Sequence, residues 1–186
     1  MIRNPGGALA WWAALTPDPA AGRKGDRAAL ARLRRCATVE EAMIEPATID
    51  LYRRCGADDP ADLVAVALAA AVLAHLRADA GGPPVARQLG PDQPDKPETA
   101  ILKPLRFRRL LEATTAEEGL PAFRRLLALA DGKVNATDLA RALLDWTNPH
   151  RAAEVKRRWT FAYWNADPAP NADSSPNTDA PKGHAA

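Results

Sequence analysis

The chain has 186 residues, and its 25 Lys and Arg against 23 Asp and Glu leave a formal net charge of only +2. That length holds one domain or two small halves, and a composition rich in Ala, Leu and Arg but poor in aromatic and β-branched residues excludes a sheet-based class and favours an all-α fold. Two cysteines, Cys36 and Cys55, have neither Cys-x-x-Cys spacing nor a neighbouring His. They exclude a recognisable zinc site and a disulfide framework, and they fit a reducing cytoplasm.

Residues 8–15, around Trp11-Trp12, predict a short apolar helix ending before Thr16-Pro17; the run imitates a signal peptide but lacks a small-x-small cleavage site. A basic loop, Gly22-Arg23-Lys24-Gly25, leads to Asp26, an N-cap for a helix over 27–36. Thr38-Val39-Glu40-Glu41 has the capping-box pattern and opens a short helix that stops at Pro46, and a further helix runs through Tyr52 to Cys55. Asp59-Pro60 then sets a cap and a first-turn proline before a helix over 61–79. This helix is apolar on all sides through its middle and so predicts the buried centre of a bundle. Its apolar run, 63–74, is shorter than the roughly 20 residues a membrane span requires.

Residues 81–97 hold five prolines and three glycines, which predict a loop or hinge. Beyond it, Lys103-Pro104 opens a helix through Glu112, and Thr115 to Glu118 opens the next, which Gly132 closes. Asn135 caps a helix over 136–146, and Asn148-Pro149 caps a last one to about Trp164. The expected organisation is two small helical bundles, 1–80 and 101–165, joined by a Pro/Gly-rich segment over 81–100. A tail over 166–186, without a large apolar residue, is expected to be disordered. The tail carries Asp167, Asp173 and Asp179 against Lys182, so residues 1–165 hold 24 basic and 20 acidic side chains, a net charge of +4.

Ten of the nineteen arginines form five doublets: Arg34-Arg35, Arg53-Arg54, Arg108-Arg109, Arg124-Arg125 and Arg157-Arg158. Neighbouring helical positions differ by about 100°, so a doublet broadens a basic face while apolar residues at i±3 and i±4 anchor the other side. Arg27, Ala31, Arg34 and Arg35 make one such stripe, opposite Ala29, Leu30, Leu33 and Cys36. The segment Lys103, Arg106, Arg108 and Arg109 contains no acid, and Phe107, Leu110 and Leu111 group on its other side. In the last helix Ala152, Val155, Trp159, Ala162 and Tyr163 form one face, and Arg157 shares the other with Phe161 and Trp164. Such faces suit phosphates and stacked bases, although helix-end arginines also answer the helix dipole and a two-faced helix also fits inside a bundle. Arg124-Arg125 is a weaker candidate, and Arg53-Arg54 reads as a helix end.

Catalytic chemistry is missing from the sequence. His75 reads as a satisfied core residue, and the acid pairs Glu40-Glu41, Asp58-Asp59 and Glu117-Glu118 stand at helix starts, where carboxylates cap. There is no Gly-rich phosphate loop, Gly-x-Ser-x-Gly elbow or His-Glu-x-x-His helix.

Four pieces of text in order, Trp11-Trp12 with Leu15, the run 25–35 (GDRAALARLRR), the block 106–111 (RFRRLL) and the ending 157–164 (RRWTFAYW), resemble CasB, the small subunit of the type I-E CRISPR Cascade complex. The likeness spans about residues 9–164; the proline-rich stretch over 81–97 and the acidic tail depart from the family pattern. The resemblance implies a non-catalytic, all-helical cytoplasmic protein, two copies of which lie head to tail in an RNA-guided complex. Its implied partners are the backbone and large subunits, the second copy, guide RNA and target DNA, with no membrane, metal or cofactor. The residues assigned to that sequence-independent nucleic-acid path are Arg27, Arg34, Arg35, Lys103, Arg106, Arg108, Arg109 and Arg157. Two other classes compete: a helix-turn-helix regulator using 136–146 and the last helix, and a helical adaptor whose doublets pair with acidic proteins.

Overall fold

Side-chain caps start four of the ten α-helices among the described residues. The computed structural model describes residues 2–166 and begins with α1 (Gly7–Leu15). At the head of α2 (Arg27–Arg35) the Asp26 carboxylate accepts from the Ala29 N–H. Thr38 caps α3 (Val39–Met43) in the same way, and Pro46 occupies the first turn of α4 (Pro46–Arg54). A complete capping box, Thr115 with Glu118, opens α8 (Ala116–Leu129), and Asn135 caps α9 (Ala136–Asp145) through the Asp138 N–H. The remaining helices are α5 (Asp62–Leu73), α6 (Val85–Leu89), α7 (Pro104–Glu112) and α10 (Ala152–Tyr163). The fold is all-α, as composition indicates; two-residue strands β1 (Ala78–Asp79) and β2 (Lys133–Val134) pair in parallel. The tail expected to be disordered lies, from residue 167, outside the described residues.

The apolar helix is the centre of the molecule. Every residue from Val66 to Ala74 is fully buried, and α5 packs against α2, α3 and α4 from the first half of the sequence and α8 and α9 from the second. Alanines at 67, 69, 70, 71 and 74 leave room for so many neighbours, because small side chains shorten the distance between helix axes. Burying Leu68 or Leu73 is worth about 1.5–3 kcal/mol each. Helices from both sequence halves share one buried cluster. Glu117 at the start of α8 also accepts from the Val39 N–H of α3 at 2.6 Å, satisfying a first-turn donor across the molecule.

Two helix boundaries differ from expectation. α5 stops at Leu73 and not at 79: the His75 and Leu76 N–H groups tighten onto carbonyls three residues back, and those of Arg77 and Ala78 turn to the Gly132 carbonyl. The chain there leaves the helix to pair with β2. The last helix begins at Ala152, since the Asn148 side chain accepts from the His150 N–H in a turn that precedes it.

The proline-rich stretch contains more structure than its composition suggests. It holds α6, whose Val85, Ala86 and Leu89 are buried and which packs on α10, and a 3-10 turn over Pro97–Thr99. Gln88 accepts from the Asn135 N–H and donates to the Gly81 carbonyl, while the Val85 N–H donates to Asp138, so the stretch is fastened to the head of α9. A Cβ on Gly90 would lie 2.3 Å from the Tyr163 carbonyl oxygen, so only glycine lets the chain pass α10 there. The Tyr163 hydroxyl donates to the Leu102 carbonyl at 2.6 Å, and its ring stacks on Phe107 at 3.9 Å. Phe123, Trp146 and Trp159 pack edge to face beside them, with centroids 4.9–5.9 Å apart.

Candidate nucleic-acid interface

Helix α7 is laid down by Phe107 and Leu110, which are buried, and this leaves Arg106, Arg108 and Arg109 exposed. Arg106 and Arg109, one turn apart, converge with Arg125 of α8 around a cleft of about 220 Å³ walled by Leu110, Ala122 and Leu126. No carboxylate lines it, and none of the three arginines has an ion-pair partner among the described residues. Arg108 points elsewhere and pairs with Glu112 at 3.3 Å. Lys103, before the helix, donates to the Glu98 carbonyl at 2.6 Å. The sequence assigned no acid to the 103–109 segment, but it did not reach one turn further to Glu112.

The other sequence-derived residues are spread over the surface. Arg27 lines a shallow basic recess with Arg23 and Lys24, where Arg23 is held by Asp18 at 2.8 Å. The Ala21 N–H and the Arg23 guanidinium hold the Asp18 carboxyl below its usual range. Arg34 and Arg35 diverge: Arg34 Nε donates to the Ala74 carbonyl at the end of α5 at 2.6 Å, and Arg35 Nε to the Ala31 carbonyl of its own helix at 3.1 Å. Arg34 thereby lines a separate cavity with His75, Arg77 and Arg124. On α10, Arg157 and Phe161 are both exposed, whereas Trp164 leans edge-on against Tyr163 with centroids 5.0 Å apart. Arg158 is turned inward to Asp138 at 3.0 Å.

Two groups escaped the sequence reading. Arg125 was among the weaker candidates, yet it closes the α7–α8 cleft; the core spacing of Phe123, Leu126 and Leu127 was the available signal. His75, expected as a satisfied core residue, is half-buried, and its Nε2 has no hydrogen-bond partner among the described residues. Burial and then the nearby Arg124 and Arg34 push its pKa down to about 4, so it is neutral at physiological pH.

Glu41 and Glu118 do the capping expected of them at α3 and α8, whereas α5 has no side-chain cap: Asp59 closes only the turn ahead of it, and Asp58 pairs with Arg3. Glu118 accepts from the Thr114 and Thr115 N–H groups, Glu41 from Ala37 and Asp59 from Ala61, and the backbone donors hold the Glu118 carboxyl below its usual range. Among the described residues no group of three His, Cys, Asp or Glu is placed to hold a metal ion. Both thiols are buried and raised, Cys36 chiefly and Cys55 wholly by desolvation, the latter to about 11. No helix among the described residues is long and apolar enough to cross a membrane.

Fold and surface together define an all-helical protein that presents unpaired guanidiniums on a rigid, alanine-centred scaffold. The model of the CRISPR-associated protein Cse2 family matches residues 29–164. The chain belongs to the Cse2 family, and Cse2 is the CasB small subunit of type I-E Cascade. A crystal structure of a Cse2-family CRISPR-associated protein from Thermus thermophilus is similar, with a TM-score of 0.61 and 25% identity, over 89% of this chain and 100% of that one. No curated protein matches the sequence. Cse2 proteins are structural subunits and are not known enzymes.

Proposed function

We propose that this chain is the non-catalytic small subunit of a type I-E Cascade complex and holds nucleic acid there without reading its sequence. The observation that carries the proposal is the α7–α8 cleft, where Arg106, Arg109 and Arg125 meet with no carboxylate between them. Three like charges so placed repel one another until an anion lies among them, and a phosphate backbone supplies anions at regular spacing. Arg27, Arg34, Arg35, Lys103, Arg108 and Arg157 are further contacts along the strand, of unequal strength, since Arg108 is already engaged by Glu112. Exposed Phe161 beside Arg157 offers a face on which an unpaired base stacks next to a phosphate contact. In the complex the partners are guide RNA, target strand and displaced strand, a second copy of this chain, and the backbone and large subunits. Base pairing supplies sequence specificity, and the protein supplies charge and shape.

The test is displaced-strand protection in a reconstituted complex carrying Arg106→Gln, Arg109→Gln and Arg125→Gln together. Reduced protection is expected, and undiminished protection refutes the cleft as a contact. With the isolated chain, preference for one palindromic duplex would favour a helix-turn-helix regulator, and an absence of salt-sensitive binding would favour a protein adaptor.

A further inference from the structure

A cavity of about 460 Å³ shares no lining residue with the α7–α8 cleft and gathers Arg34 from α2, His75 and Arg77 from the turn after α5, and Arg124 from α8. Asp131 is the one carboxylate in its wall, and it is engaged by Arg77 at 2.5 Å and by Lys133 at 3.3 Å. Arg34 and Arg124 have no acid partner among the described residues. Each is instead fixed by a carbonyl at a helix end: Arg34 Nε donates to Ala74, and Arg124 Nη2 donates to Leu33 at 3.2 Å. Those bonds orient the two forks while leaving the remaining N–H groups uncommitted.

Two polar atoms of the cavity residues, Arg124 Nε and His75 Nε2, are shut off from solvent and have no hydrogen-bond partner among the described residues. Buried polar groups are nearly always satisfied, so such a pair leaves the cavity wall short of acceptors. Burial also lowers the Arg124 pKa, with Cys36 and Glu41 acting the other way without cancelling it. The neutral His75 adds no charge to the repulsion. Three guanidiniums against the single carboxylate of Asp131 leave the wall net positive, which calls for an anion. They converge from three chain segments, a geometry that suits a tetrahedral group with several oxygens better than a two-oxygen carboxylate.

We propose that this cavity seats one phosphate group, carried by a nucleic-acid strand or by a free phosphate monoester, between the guanidiniums of Arg34, Arg77 and Arg124 with the His75 imidazole beside it. The volume falls within the roughly 300–1,000 Å³ of small-molecule sites, which leaves space for an attached nucleoside along Leu127. Only the strand-borne source rests on the function proposed above.

The His75 imidazole is the reporter. Its NMR resonances, assigned by comparison with His75→Gln, are followed in the full chain at fixed pH and ionic strength. The titrants are inorganic phosphate, a nucleoside 5′-monophosphate, an abasic single-stranded oligonucleotide and glutamate. A saturating shift is expected with at least one phosphate-bearing probe and none with glutamate. Arg34→Gln is expected to raise the half-saturating concentration at least tenfold, and Arg77→Gln, on the exposed rim, to raise it less. A shift from the monophosphate but not the strand identifies the free monoester as the source, and the reverse identifies the strand. No saturating shift with any phosphate, or an equal one with glutamate, overturns the proposal. Salt-sensitive strand binding together with a His75 that no phosphate-bearing probe moves also overturns it while leaving the proposed function standing. A phosphate shift in a chain that binds no strand upholds the pocket and refutes that function.

Discussion

Removing Arg106, Arg109 and Arg125 as glutamines tests the cleft most directly, because its consequence is a slope and not merely a loss. All three are exposed and without ion-pair partners among the described residues, so the variant forfeits no internal pair. Its thermal midpoint should match or slightly exceed that of the parent, as like charges have been separated. On single strands each neutralised phosphate contributes about 0.7 to the dependence of log K on log salt, so three contacts contribute roughly 2.1. Between 50 and 200 mM salt the parent should therefore lose about twentyfold more affinity than the variant. Fluorescence anisotropy with one labelled oligonucleotide across that range measures both slopes. Arg108→Gln serves as the comparison, since that arginine is paired with Glu112, and it should lower the slope by less than one contact. An unchanged slope in a folded triple variant, or an equal fall in Arg108→Gln alone, would refute the reasoning that convergence without an acid makes the contact.

Further expectations concern the scaffold. Trp146→Phe should destabilise the chain by about 1–2 kcal/mol more than Trp159→Phe in urea unfolding, because both indoles are buried but, among the described residues, only that of Trp146 has a hydrogen-bond partner, the Ala113 carbonyl at 3.2 Å. His75, lowered from 6.5 to about 4, contributes stability that is full above about pH 6.5 and is lost as pH falls toward 4, where the unfolded chain takes the proton first. The loss should be on the order of 1–2 kcal/mol after allowance for partial exposure, and His75→Gln should abolish that part of the acid dependence. Neither Cys36 nor Cys55 should react with a thiol reagent at neutral pH until urea unfolds the chain. Gly90→Ala should cost about 1–3 kcal/mol by forcing the backbone away from Tyr163, measured by thermal unfolding.

Helix starts were legible because capping is written in three or four adjacent residues: Asp26, Thr38, Thr115 and Asn135 each accept the bond their position implies. The buried course of α5 was legible for a similar reason, as a run apolar on every side has no surface to offer water. Where α5 ends was not legible, since the stop is imposed by Gly132, more than fifty residues away, whose carbonyl captures Arg77 and Ala78. The fastening of the 81–90 stretch was equally hidden: Gln88 looks like an ordinary loop amide until Asn135 stands opposite it. For the candidate site, helical projection found the exposure of Arg106 and Arg109. It missed Arg125 because the angle between α7 and α8 is a tertiary property. The unsatisfied His75 was misread for the same cause, its environment being made by α2 and α8.

The doublets show why a net charge of +2 understates the surface. Adjacent helical residues diverge by about 100°, so the members of a doublet rarely meet the same partner. Arg54 reaches Asp50, Arg108 reaches Glu112 and Arg158 reaches Asp138, while Arg53, Arg109 and Arg157 have no acid partner among the described residues. In α8 the division is between Arg124, tied to the Leu33 carbonyl, and Arg125, open in the cleft. In α2 both are tied to carbonyls, but Arg34 crosses to α5 whereas Arg35 stays on its own turn. Acids spent on the tethered members cancel in the formal sum yet neutralise nothing that a ligand meets. The charge available to a polyanion is thus carried by the members without an acid partner, including those that a carbonyl only orients, such as Arg34 and Arg124.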